Sequence, residues 1–140
     1  GVVEVEVQIA KCRLARGVQS GNRLWKGRME SCLFCRIANH ELPAKMVHED
    51  DRVIAFHDIN PQPPVHVLVV PRKHIPTLND VSTDDAALVA HILSVASRIA
   101  EQMGVAQKGY RTVFNVNAEA GQSVFHLHLH LIGGRRLSWP

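Results

Sequence analysis

The chain has 140 residues, a length typical of one domain, and 46% of them are hydrophobic, which is enough for a core without disulfides. No apolar stretch approaches the roughly 20 residues that cross a bilayer, and the first residues lack the basic and apolar regions of a signal peptide. Three cysteines make no disulfide framework. We therefore expect a cytoplasmic protein without a membrane partner.

The net charge of +3 belongs to the beginning of the chain. Residues 1–30 hold six of the Lys and Arg residues and three of the acidic ones, whereas residues 31–140 hold ten of each. The body of the protein is therefore neutral, and we expect no nucleic-acid partner. Residues 1–28 lack clear periodicity, so we expect them to be an N-terminal extension outside a domain of residues 29–140.

Hydrophobic periodicity predicts a short helix and three strands after the extension. The helix is expected around Phe34–Asn39, and the strands at Met46–Glu49, Val53–His57 and His66–Val70. A proline-rich stretch at residues 60–64 marks the loop before the third strand.

A long amphipathic helix is expected at Ser82–Met103. Ser82 and Asp85 have the spacing of a capping box, and Gly104 suits the position after the helix. A predicted buried stripe consists of Leu88, Ile92, Val95, Ile99 and Met103. With further strands at Tyr110–Asn115 and Ser123–Ile132, the pattern predicts an α+β domain with an antiparallel sheet of about five strands.

The last of these strands contains three histidines that alternate with apolar residues, His126, His128 and His130. This period places the histidines on one face of the strand and the apolar residues Phe125, Leu127, Leu129 and Leu131 on the other, as core. Imidazole serves as nucleophile, acid, base or metal ligand near neutral pH. The alternative is a strand that merely presents polar residues to water. The middle histidine, His128, has a neighbour on each side and is our candidate nucleophile.

Residues Gly121-Gln122-Ser123 directly precede the histidines. Their backbone N–H groups and the Ser123 hydroxyl can bind a phosphate, so we expect Gln122 and Ser123 at a nucleotide site. An ordinary turn is the alternative.

The pair Cys32-x-x-Cys35 has the spacing of half a zinc site. His74, after a strand, and His126, at the edge of the histidine stripe, are candidates for the other two ligands. The alternatives are a pair of small core residues in the thiol form or a redox pair.

Residues 31–140 resemble the histidine triad (HIT) family, whose signature His-φ-His-φ-His-φ-φ, with φ apolar, matches His126–Ile132 at every position. Further matching segments are Phe56–Ile59, His66–His74, Gly109–Arg111, Asn115 and Gly121–Ser123. The tail Gly133–Pro140 is similar to the Hint-like branch, the nucleoside phosphoramidate hydrolases.

The resemblance implies a homodimer that joins two sheets, and hydrolysis at a nucleotide α-phosphate through a nucleotidyl-histidine. It implies that His128 is the nucleophile and that His130 contacts the phosphate. Asn115 and Ser123 would orient the phosphate and the leaving group, Asp58 and Ile59 would face the ribose, and His66 would support the site from behind. It also implies a closed, structural zinc site made of Cys32, Cys35, His74 and His126.

We therefore expect a hydrolase of substituted purine nucleoside 5′-monophosphates, such as phosphoramidates. Retention of His130 favours hydrolysis over nucleotidyl transfer, since the transferase branch replaces this histidine. Two alternatives remain open: a Fhit-like dinucleoside polyphosphate hydrolase, and a nucleotide-binding interaction protein in which hydrolysis is incidental.

Overall fold

The computed structural model describes residues 31–62 and 64–140, so the expected extension, residues 1–28, lies outside the described residues. It contains one antiparallel sheet of five strands in the order β1-β2-β3-β5-β4. The strands are β1 (Met46–Glu49), β2 (Val53–His57), β3 (Val65–Pro71), β4 (Tyr110–Val113) and β5 (Leu129–Gly133). The α-helices are α1 (Leu33–Ala38) and α2 (Ala86–Gln102). The predicted α+β class is confirmed.

The long helix α2 packs on one face of the sheet. Its buried residues follow the predicted stripe, with Ile92, Val95 and Ile99 fully enclosed and Leu88 and Met103 at its ends partly buried. Ser82 and Asp85 form the expected capping box, but the chain first makes a 3-10 turn at Thr83–Asp85, so the α-helix starts later than predicted. None of the described helices is both long and apolar enough to cross a membrane.

The central strand β3 separates two apolar clusters. Val67 and Val69 face α2, whereas Leu68 and Val70 pack with α1 on the opposite side of the sheet. A strand that is covered on both sides favours β-branched residues without polar alternation, as found here. The α1 side also carries His66 and His130, because Leu68 pairs with His130 in the β3–β5 register.

The predicted strand Ser123–Ile132 is shorter in the structure than expected. Ladder pairing begins only at Leu129, which pairs with Val69 of β3, and pairing with β4 begins at His130, opposite Val113. The preceding residues lie outside the sheet and include a bend at residues 124–126, and Leu127 N–H donates to the carbonyl of Ile75 at 2.6 Å. Phe125 is buried in the core, as expected, but the predicted face is wrong: it packs in the α1-side cluster, whereas Leu127, Leu129 and Leu131 pack in the cluster on the α2 side.

The turn between β1 and β2 is held by the carboxylate of Asp50. One oxygen accepts the backbone N–H groups of Arg52 and Val53, each at 2.8 Å. The other accepts from Nε2 of His48 at 2.6 Å and of His91, on α2, at 2.7 Å. Burial opposes ionisation, but the hydrogen bonds from His48, the backbone and His91 hold the pKa of Asp50 well below its usual range. This carboxylate therefore ties α2 to the turn.

We expect Asp50→Asn to lower the free energy of unfolding at pH 7 by about 1–3 kcal/mol, because an amide offers one acceptor where the carboxylate offers two. A carboxylate whose pKa is depressed on folding stabilises above its unfolded pKa of ~3.9 and loses that stabilisation as the pH falls further. Urea unfolding at pH 7 and at pH 3 should therefore show a difference between the variant and the wild type that shrinks at the lower pH.

The adjacent, exposed Asp51 supplies the matched control, since Asp51→Asn removes the same charge without these contacts. Equal destabilisation by both substitutions would show that the local charge, and not the four hydrogen bonds, stabilises the turn.

Candidate active site

The three signature histidines lie along one continuous stretch of chain on the α1 side of the sheet. His130 belongs to β5, whereas His126 and His128 lie in the irregular segment before it. The ring centroids of His128 and His130 are 5.0 Å apart. His126 is fully buried and His128 is nearly so, whereas His130 is partly exposed. The structure thus brings together the predicted histidines.

His128 has one ring nitrogen fixed by the backbone. Its Nδ1–H donates to the carbonyl of His126 at 2.7 Å, so in the neutral ring Nε2 carries no proton. Burial lowers the pKa of His128, which favours this neutral form. The edge of the Phe34 ring packs against the imidazole at a centroid distance of 5.0 Å. A neutral imidazole with an unprotonated Nε2 is the form that acts as a nucleophile.

His66 and His130 form a hydrogen-bonded chain with a defined direction. The backbone N–H of Gln62 donates to Nδ1 of His66 at 2.9 Å, so the proton of the neutral His66 ring is on Nε2. That Nε2–H donates to Nδ1 of His130 at 2.9 Å, which leaves His130 with its proton on Nε2. Burial, together with His128 and His66, lowers the pKa of His130 to about 3. His130 therefore offers a neutral N–H donor.

Asp58 contacts the same chain. Its Oδ2 lies 3.3 Å from Nε2 of His66, and its Oδ1 accepts the N–H of Asn60 at 3.0 Å. Burial lowers the pKa of His66, and the carboxylate of Asp58 opposes that effect. Ile59, the next residue, is half exposed.

Two cavities meet at this point of the α1 side. A small one of about 110 Å³ lies against His128, His130 and Ser123, and a larger one of about 690 Å³ extends past His66 towards Lys45. The two cavities share four lining residues, Ile37, Phe56, Asp58 and Ile59. A volume of this order is typical of sites for small organic molecules, and the apolar walls with one carboxylate suit a nucleoside.

The three remaining predicted nucleotide contacts differ in their positions. Ser123 lines the small cavity beside the histidines. Asn115 lies two residues beyond β4, where the β4–β5 register, continued by two residues, places it opposite His128. The side chain of Gln122 is buried, and its amide bonds to the backbone of Asn117, Pro76 and Val124.

Four ligand atoms converge beneath the histidines. Nδ1 of His126 lies 3.5 Å from Sγ of Cys32, 3.4 Å from Sγ of Cys35 and 3.1 Å from Nδ1 of His74. Cys35 and His74 are 3.2 Å apart by the same atoms. A tetrahedral site with zinc–sulfur and zinc–nitrogen bonds of ordinary length has edges of about 3.3–3.8 Å, and the observed distances lie within a few tenths of an ångström of this range. The four buried residues can therefore hold a metal ion.

The protonation of His126 also fits a metal ligand. Its Nε2–H donates to the carbonyl of Pro71 at 2.6 Å, so the unprotonated Nδ1 is the atom that faces the cysteines. Burial, His74 and His128 lower the pKa of His126 to about 3, although the hydrogen bond to the Pro71 carbonyl acts in the opposite direction. An imidazole that ligates a metal must be deprotonated at the ligating nitrogen, and this one is.

A second group of potential ligands, Asp58, His66 and His130, does not fit a metal in the same way. Nδ1 of His66 already accepts a backbone N–H, so ligation by Nε2 would require a doubly deprotonated ring. The hydrogen-bonded chain is the arrangement that satisfies these three side chains.

Sequence reasoning missed the contribution of α1 to the site. Leu33, Phe34 and Ile37 line the small cavity, and Phe34 contacts both His126 and His128. The available signal was the position of Phe34 between the two cysteines. A cysteine pair that meets His126 at a metal site necessarily brings the intervening residues against the histidine stripe.

Comparison with known proteins agrees with this geometry. The chain matches the HIT domain family over residues 39–137. Purine nucleoside phosphoramidase of Escherichia coli strain K12 is 46% identical over 108 residues, which cover 77% of this chain and 91% of that protein.

Solved structures give the same result. A HIT family hydrolase from Legionella pneumophila Philadelphia 1 is 54% identical with a TM-score of 0.77, over 78% of this chain and 97% of that one. A zinc-bound histidine triad family protein from Mycobacterium smegmatis is 31% identical with a TM-score of 0.66, over 76% of this chain and 77% of that one. The family match spans most of the chain and includes all three signature histidines, so this chain belongs to the HIT family.

Proposed function

We propose that the chain hydrolyses substituted purine nucleoside 5′-monophosphates, with phosphoramidates as the preferred class, through a nucleotidyl intermediate on His128. The observation that carries the proposal is that two neighbouring neutral rings have opposite tautomers. His128 has an unprotonated Nε2, and His130 has a protonated one, because backbone groups fix the other nitrogen of His128 and of His66. Relatives named hydrolase and purine nucleoside phosphoramidase support nucleotide hydrolysis.

The reaction divides into two displacements at phosphorus. In the first, Nε2 of His128 forms a bond to the α-phosphorus, and the phosphorus–nitrogen bond of the substrate breaks as the amine leaves with the electron pair and takes up a proton. The positive charge that develops on the His128 ring is stabilised by its Nδ1–H bond to the His126 carbonyl. In the second, water displaces His128 and releases the nucleoside monophosphate.

The other predicted residues act on the phosphate and the nucleoside. The Nε2–H of His130 is a donor for a phosphate oxygen, and Ser123 lies beside it in the small cavity. The carboxylate of Asp58 is an acceptor for ribose hydroxyls at the junction of the two cavities, and Ile59 lies next to it. Asn115 is proposed to help Ser123 orient the phosphate and leaving group.

We expect His128→Ala to lower kcat for adenosine 5′-phosphoramidate by ~10³-fold or more with little change in the Kd for AMP, because it removes the group that forms the covalent bond. His130→Ala should lower kcat less, by roughly 10–10³-fold, since it removes one phosphate contact. Steady-state kinetics and equilibrium AMP binding check this order.

The exposed His40 provides a control histidine, and His40→Ala should leave turnover unchanged. A larger loss from His130→Ala than from His128→Ala, with the fold intact, would contradict the assignment of the nucleophile. Faster turnover of a diadenosine polyphosphate than of the phosphoramidate would instead identify a dinucleoside polyphosphate hydrolase. Tight AMP binding without turnover of either would identify a binding protein.

We also propose that the ion held by Cys32, Cys35, His74 and His126 is zinc and that its role is structural. Two thiolates and two imidazoles complete a tetrahedron, and a closed tetrahedral site holds elements together without binding substrate. Zinc there would join α1 to the segment that carries the histidines. The zinc-bound relative from Mycobacterium smegmatis supports this choice of metal.

Purified protein should contain about one zinc per chain. Cys32→Ser should lose most of the metal and lower the thermal midpoint, because the free energy of metal binding adds to that of folding. Elemental analysis and thermal unfolding of the same samples check both effects. Cys12→Ser, at a cysteine outside the pair, is the control and should retain the metal. Unchanged stability of metal-free Cys32→Ser would contradict a structural role.

We further propose a homodimer formed along β4 and α2. β4 is an edge strand of the sheet, with Tyr110 more than one-third exposed, and Leu93 on α2 is about half exposed. An edge with exposed apolar neighbours is a surface suited to pairing with a second copy.

Light scattering at micromolar concentration should give twice the protomer mass, and Leu93→Asp should shift it towards one protomer because it places a charge in the proposed interface. The control is Met46→Asp on β1, the opposite edge of the sheet, which should leave the mass unchanged. A wild-type mass of one protomer would contradict the proposal.

A further inference from the structure

Gln122 is the polar residue of the site whose contacts the proposed reaction does not explain. Its side chain is 4% exposed, and every polar atom of the amide is used. Oε1 accepts the N–H of Asn117 at 2.8 Å, and Nε2 donates to the carbonyls of Pro76 at 2.9 Å and Val124 at 3.1 Å. The backbone N–H of Gln122 donates to Asn117 as well, at 3.1 Å.

These bonds join the two ends of the loop of residues 117–124 to each other and to Pro76. Pro76 follows the metal ligand His74 by two residues, and Val124 precedes His126 by two and follows Ser123 directly. Asn117 starts a 3-10 turn with a φ of +66°, a conformation that non-glycine residues adopt only when their surroundings hold it. One side chain therefore fixes both ends of the loop that carries Ser123.

We propose that Gln122 is a positioning residue for the hydrolysis reaction: its amide holds the loop of residues 117–124 so that Ser123 faces the phosphate beside His128 and His130. The inference rests on the proposed function. It differs from the expectation that Gln122 contacts the nucleotide, since its donors are already engaged within the protein. Gln122 acts through Ser123 and not on the substrate.

The chemistry of the three contacts requires an amide. One atom must accept a hydrogen bond, and the other must donate two, which no other side chain of this length does. A glutamate of the same shape keeps the acceptor but places a carboxylate oxygen against two carbonyl oxygens. Gln122→Glu is therefore a nearly isosteric change that breaks the two donor contacts, and Gln122→Met breaks all three while preserving most of the volume.

The test compares Gln122→Glu, Ser123→Ala and the double variant, each with phosphoramidate turnover, AMP binding and metal content. We expect Gln122→Glu to lower kcat by roughly 10–100-fold with less than about a threefold change in the Kd for AMP, since Asp58 and Ile59 lie on another loop. Because Gln122 acts through Ser123, the double variant should lose no more activity than the more impaired single variant. Gln102→Glu, at an exposed glutamine of α2, is the control for added charge.

If the fold losses in kcat of Gln122→Glu and Ser123→Ala multiply in the double variant, the proposal is overturned. A Gln122→Glu variant that is less stable but has normal kcat per folded molecule would also overturn it. A loss of activity that parallels a loss of metal would also overturn it, since the Gln122 hydrogen bonds would then act on His74 and His126.

Amide hydrogen exchange gives a readout that does not depend on turnover. Gln122→Met should accelerate exchange at Asn117 at least tenfold and leave the amides of β3 unchanged. Inactivity of the wild-type protein would contradict the proposed function alone. Unchanged exchange at Asn117 would contradict the positioning role of Gln122, whatever the substrate.

Discussion

A neutral imidazole has two nitrogens and one proton, and backbone groups decide where that proton lies in four histidines of this site. The carbonyl of Pro71 accepts a hydrogen bond from His126, and the carbonyl of His126 accepts one from His128. The backbone N–H of Gln62 donates to the unprotonated nitrogen of His66. His66 then sets the state of His130. Burial keeps these rings uncharged at neutral pH, so the tautomers persist. The histidines proposed as metal ligand, nucleophile and phosphate donor thus differ in their hydrogen bonds and not in residue type.

The short segment Cys32-Leu33-Phe34-Cys35 serves both the metal centre and the cavity. Its cysteines approach His126 and His74, and the phenylalanine between them packs edge-on against His128. This packing buries one side of the His128 ring and so disfavours its charged form. The position of α1 therefore affects the reacting ring as well as the stability of the fold.

Residue patterns predicted the elements well where side-chain periodicity and pairing coincide. The strands Met46–Glu49 and Val53–His57 have the predicted bounds, and the α2 stripe is buried as expected. Alternation failed before Leu129, because it reports which way side chains point and not whether the backbone has a ladder partner. The prediction therefore assigned Phe125 to the wrong side of the sheet. The contacts of Gln122 could not be predicted from sequence, since they depend on the conformation of its own loop and on Pro76, which only the folded chain brings close.

His126 connects the two halves of the site through different atoms. Its ring nitrogen Nδ1 faces the cysteines and His74, while its backbone carbonyl accepts the proton of His128. The ring and the carbonyl belong to one residue, so contacts that hold His126 in place also restrict the carbonyl that accepts the hydrogen bond from His128. A metal bound at Nδ1 would add one such contact. On this argument the proposed metal centre, although closed to substrate, would support the proposed reaction by helping to keep Nε2 of His128 unprotonated.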